Sequence, residues 1–149
     1  RILRAPDPQT ALARALERPG TIAVAPWPAA PGVGSWWPAL SESRFHKLHL
    51  VGGLPVRAPI DEEPEACVFA PAPNEAAGGD VSMLIVFDPH HRAVRALNEV
   101  GFKGREVARS EPRALIRVEG FVAVDDPRAS AMTAHGLDGV RVLGSYARV

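Results

Sequence analysis

The chain has 149 residues, with 17 basic and 17 acidic side chains, 46% hydrophobic and 23% charged residues. That is the balance of a globular protein of one ordinary domain or two small ones. A formal charge of zero, without any run of Lys or Arg, offers no field to attract nucleic acid or an anionic membrane. Cys67 is the single cysteine, so neither an internal disulfide nor a thiolate metal cluster can form. No apolar run approaches the ~18 residues of a membrane span, and no signal peptide is visible. These features predict a reducing, cytoplasmic setting with no metal and no cofactor. The start at Arg1, directly into apparently folded sequence, reads as a piece of a longer polypeptide.

Asp7 is a good N-cap and Pro8 suits a first helical turn, so a helix is expected to Arg18, with Leu12 and Leu16 on one face and Pro19-Gly20 as its stop. Thr21 to Ala25 is a short apolar run that reads as a buried parallel strand. A Pro- and Gly-rich loop follows, and Ser35 looks like the N-cap of a short helix from Trp36 to about Ser43. Lys47 to Val51 alternates like a strand, continued by Leu54 to Arg57 after Gly52-Gly53. Asp61 to Glu65 reads as an acidic loop and Ala66 to Ala70 as a strand. The composition of 73–80 is that of a linker, which divides the chain into 1–72 and 81–149.

Beyond it, Val81 to Phe87 reads as a strand, and Pro89 to Val100 as a helix closed by Gly101. Two strands, Phe102 to Arg109 and Ala114 to Val124, are joined by a tight turn. A helix from Pro127 to Gly136 and a strand from Val140 to Tyr146 complete the order βαββαβ. That order predicts a ferredoxin-like unit with both helices on one face of a four-stranded antiparallel sheet. The fold class expected is thus α+β, a ferredoxin-like module preceded by a small α/β fragment.

The closing segment Val142 to Tyr146 resembles the end of the ACT domain of prephenate dehydratases. The resemblance extends through Gly79 to Leu84, Arg109 to Pro112, Val118 to Phe121 and Asp126-Pro127, and covers about half of the chain. Residues 1–72 are similar, more faintly, to the closing part of the periplasmic-binding-like catalytic region of that family, through Gly20 to Pro26 and Leu50 to Val56. Where the family carries a catalytic Thr-Arg-Phe this chain has Cys67, Val68 and Phe69. Val68 cannot supply the fork that grips a carboxylate. The chain also resembles tails that follow a helical chorismate mutase domain in some bacterial proteins. The resemblance implies a regulatory, ligand-sensing region in aromatic amino-acid synthesis, paired as a homodimer. Its ligand would be a small carboxylate or an aromatic amino acid. An active dehydratase or mutase, and a dimerisation domain without ligand, are the alternatives. In the family, phenylalanine sits near a Gly-Ala-Leu turn and a Glu-Ser-Arg-Pro turn. Here Asp88 to Arg92 replaces the first, and Arg109, Ser110, Glu111 and Pro112 stand for the second.

Two groups of residues are therefore candidate sites. Gly34, Ser35, Trp36 and Trp37 join a strand to a helix start, where free backbone amides hold anions. The plainer reading is that Ser35 only caps and the tryptophans pack. His90, His91, Arg92, Ser110 and Glu111 form the second group, as effector contacts or simply as a polar first turn. Adjacent His90 and His91 point about 100° apart on a helix, which is poor geometry for one metal. His46, His49 and His135 form no ligand set, and Cys67 reads as a small buried hydrophobe.

Overall fold

The computed structural model describes residues 2–30, 34–56 and 62–148. The chain begins with α1, Pro8–Glu17, where the Asp7 carboxylate accepts the Thr10 amide at 2.7 Å and Leu12 and Ala15 are buried. β1, Ala23–Pro26, leads to two short 3-10 turns, Trp37–Ser41 and Ser43–Phe45. Then come β2, His49–Leu54, β3, Ala66–Ala70, and β4, Asp80–Phe87. The remainder is α2, Ala93–Glu99, β5, Gly104–Ser110, β6, Arg113–Glu119, α3, Pro127–Ala131, and β7, Asp138–Ala147. A further 3-10 turn, Met132–His135, follows α3 and ends at Gly136 with φ of 92°. No helix among the described residues is long and apolar enough to cross a membrane.

The seven strands form one mixed sheet in the order β1-β3-β2-β7-β4-β6-β5. All neighbours are antiparallel except β2 and β7, which run parallel and meet at Leu50 and Gly144. This overturns the expected fold class, a ferredoxin-like ACT domain behind a small periplasmic-binding-like α/β fragment. The strands of the two halves belong to a single sheet with few helices. The physical reason lies in β4, whose eight residues are all buried except Phe87. Leu84 and Val86 pack beneath α2 and α3 with Ala96, Leu97 and Met132. Val81, Met83 and Ile85 point the other way, into a core shared with Leu12, Trp37, Phe45 and Phe69 from the amino-terminal half. A near-continuous apolar run is the mark of a strand covered on both faces. A two-layer module would leave one of those faces open.

Other expectations shift locally. The strand at 21–25 was expected to be parallel and buried. It forms instead as β1 on the edge of the sheet, antiparallel to β3, with Val24 exposed. The expected helix after Ser35 is replaced by 3-10 turns; Trp36, not Ser35, precedes the first, and no side chain caps it. The segment 73–80 connects β3 to β4 and is anchored. Asn74 donates to the Ser145 carbonyl at 2.8 Å, and Asp80 accepts the amides of Ala77 and Gly78 at 3.0 Å. The expected strand end at Arg57 and the start of the acidic loop at Asp61 lie outside the described residues.

Candidate ligand-binding crevice

Because β2 and β7 share a single register pair, a crevice opens beside that seam, between the residues leading into β2 and the first half of β7. Its walls are His46 and His49 on one side, Val140, Arg141 and Val142 on another, and Ala129, Ser130 and Thr133 on α3 and the following turn. The volume is about 580 Å³, inside the range of roughly 300–1,000 Å³ typical of small-molecule sites.

Arg141 is the polar centre of this crevice. Its guanidinium donates to the main-chain carbonyls of Leu40, Phe45 (3.0 Å) and Leu48 (2.6 Å). Those carbonyls come from the two 3-10 turns and the residue entering β2, so one side chain ties β7 to the amino-terminal half. Three of its five N–H groups are used; Nε–H and one N–H of Nη1 have no partner among the described residues. No carboxylate of the described residues lies within ion-pair distance of it. Burial pushes its pKa down to about 10, which still leaves it charged at neutral pH. Beside it, burial, and then the Arg141 charge, hold the His49 imidazole below its ordinary value. Its Nδ1 is buried without a hydrogen-bond partner. His46 is exposed, with Nε2 3.2 Å from the Ser41 carbonyl.

The predicted site residues fall elsewhere. Gly34 has φ of 75° and Ser35 is exposed, whereas Trp36 and Trp37 are buried in the core. Trp36 meets Phe69 edge-to-face at 6.1 Å. The anion cradle expected of this loop therefore has its tryptophans turned inward, and its residues 31–33 lie outside the described ones. The second group is partly assembled. The loop after β4 meets the β5–β6 turn, where His91 Nε2 lies 2.7 Å from the Glu111 carboxylate. His90 is exposed, Ser110 pairs with Arg113 in the ladder, and Arg92 contributes its amide to the Asp88 carboxylate at 2.7 Å. At the centre stands Arg109, bonded to Asp88 at 2.7 Å and Glu106 at 2.6 Å, with Glu111 at 3.4 Å. Three carboxylates already surround this one guanidinium, so the cluster ties two loops together.

Sequence reasoning missed Arg141 and His49. One signal was present: a lone arginine between Val140 and Val142 in an otherwise apolar strand. Cys67 is 3% exposed, and burial pushes its thiol up to about 12, the state of an inert core thiol.

No family model and no curated protein matches the chain. Among solved structures, a prephenate dehydratase of Arthrobacter aurescens in complex with L-Phe gives a weak partial match. Its TM-score is 0.31 at 20% identity, over 59% of this chain and 35% of that one. A structure described as GqqA, a novel type of quorum-quenching acylase, matches at a TM-score of 0.59 with 14% identity. That match covers 99% of this chain and 82% of the other. The chain is similar in fold to GqqA along nearly its whole length.

Proposed function

We propose that this chain is a small-molecule-sensing region of a protein in aromatic amino-acid synthesis, and that its ligand occupies the crevice at the β2–β7 seam. The observation that carries the reading is the cavity itself: about 580 Å³, with a guanidinium in its wall that no carboxylate of the described residues neutralises. Concave sites with apolar walls and a few convergent polar groups are where small ligands bind. The pathway assignment rests on the sequence resemblance to the dehydratase region, with a small aromatic carboxylate or an aromatic amino acid as the ligand class.

Two features support sensing over catalysis. Cys67 and Val68 stand where the dehydratases carry Thr-Arg, and both lie in β3, away from the crevice lining. Acylase activity belongs to GqqA by its description. Among the described residues no histidine is hydrogen-bonded to a serine, threonine or cysteine side chain, one of the pairings that activate a nucleophile for acyl transfer.

A thermal-shift panel of phenylalanine, tyrosine, tryptophan and phenylpyruvate tests the reading. A ligand at a hundredfold its dissociation constant stabilises by ~2.7 kcal/mol, which for a domain of this size raises Tm by roughly 5–10 °C. A flat panel at millimolar concentrations overturns the proposal.

A further inference from the structure

We infer that the crevice selects a net organic anion, a carboxylate or phosphate monoester on a small apolar body, over a zwitterionic amino acid, with Arg141 and His49 holding the anionic head. This rests on the ligand-sensing reading above and sharpens it.

The argument is one of charge and unpaired groups. A largely enclosed cation is costly unless an opposite charge or several acceptors meet it. Arg141 has three carbonyls, which carry only partial charge, and two N–H groups unspent. His49 adds a second polar group on the lining: its Nδ1 is buried, and neither ring nitrogen has a hydrogen-bond partner among the described residues. In its neutral form the imidazole can carry its proton on the accessible nitrogen, Nε2, and donate it to an oxyanion. Both residues line one cavity, so an anion seated there meets the unspent N–H of Arg141 and the accessible side of the His49 ring together. Charge-assisted bonds of this kind are about twice as strong as neutral ones.

The same lining rejects an ammonium. Among the described residues it contains no Asp or Glu. The α-ammonium of an amino acid would face the Arg141 charge with no carboxylate of the lining to pair with it, leaving only neutral acceptors such as the hydroxyls of Ser130 and Thr133. Val124, Val140 and Val142 supply the apolar wall for the body. The Arg109 cluster provides the contrast: it is surrounded by its own carboxylates.

Isothermal titration of the wild-type chain with phenylpyruvate, phenyl phosphate and phenylalanine separates the cases, since the three share a ring and differ in the polar head. The expected result is at least tenfold tighter binding of phenylpyruvate or phenyl phosphate than of phenylalanine, with inorganic phosphate competing. The stronger of the two anions identifies the head group. Arg141→Met should weaken the anion about 10- to 100-fold, the effect of a charged hydrogen-bond partner. If that variant fails to fold, His49→Gln, which leaves the β7 tether intact, should weaken it about fivefold. Phenylalanine binding as tightly as the anions overturns the anion selectivity and leaves the sensing proposal standing. Anion binding indifferent to His49→Gln and to inorganic phosphate overturns the Arg141–His49 seat. No heat with any of the three overturns both proposals.

Discussion

Gly144→Ala is expected to lower the free energy of unfolding by about 3–5 kcal/mol, the sum of overpacking and backbone strain. Gly144 has φ of 136°, a conformation side-chain-bearing residues rarely adopt. A Cβ built there would lie 2.1 Å from the Leu50 carbonyl oxygen and 2.8 Å from the Leu50 nitrogen. Both are backbone atoms, so no side chain can rotate away to make room. The pairing of β7 with β4 shifts register at this point, and Leu50–Gly144 is the one register pair joining β2 to β7. The substitution therefore pries apart the seam between the two halves of the sheet. Urea unfolding should show the midpoint falling with little change of slope. A cost under 1 kcal/mol would mean that the two halves do not depend on this approach.

Asp88→Ala should cost about 3 kcal/mol. Asp88 is 1% exposed and bridges two loops: its carboxylate takes Arg109 at 2.7 Å and the Arg92 amide at 2.7 Å. Its own amide donates to the Pro112 carbonyl at 2.7 Å, and its carbonyl accepts from Arg109 at 3.0 Å. Removing one partner of a buried pair costs about 3–5 kcal/mol. The lower end applies because Arg109 keeps Glu106 at 2.6 Å. Burial alone would raise the Asp88 pKa, but the bonds from Arg109 and from the amides of Arg92 and Ala93 outweigh it and hold the value below 3.8. A carboxyl lowered in the folded state contributes its stability in full above its unfolded pKa and loses it as pH falls through the folded one. The gap between wild type and Asp88→Asn should hence be constant from pH 7 to about 5 and close below about pH 4. A gap that widens on acidification would contradict this linkage.

Much of the local structure could be read from neighbouring residues. Asp7 and Pro8 start α1 because the cap and the proline act within one turn, and Gly136 ends the α3 segment for the same reason. β3 and β4 followed from short apolar runs. The errors arose where particular side chains, near or far in sequence, override the local preference. The helix expected from Pro89 begins only at Ala93, because Asp88 draws the Arg92 amide to its carboxylate and His91 sits at φ of 56°. The continuous apolarity of Val81 to Phe87 already argued for burial on both faces, yet the order βαββαβ directed attention to one. What covers the second face comes from α1, the tryptophans and Phe45, and no periodicity within β4 can name them. The crevice was hidden for a related reason. Arg141 becomes a cation centre only when Leu40, Phe45 and Leu48 bring their carbonyls to it across the seam.

Amide chemical-shift mapping during a phenylpyruvate titration determines whether the ligand lodges at the β2–β7 seam. Saturable shifts are expected in residues 46–49, 129–133 and 140–142, with segments 34–37, 88–92 and 109–111 unmoved. Shifts centred on Ser35 to Trp37, or on His91 and Glu111, with the seam silent, would contradict that placement.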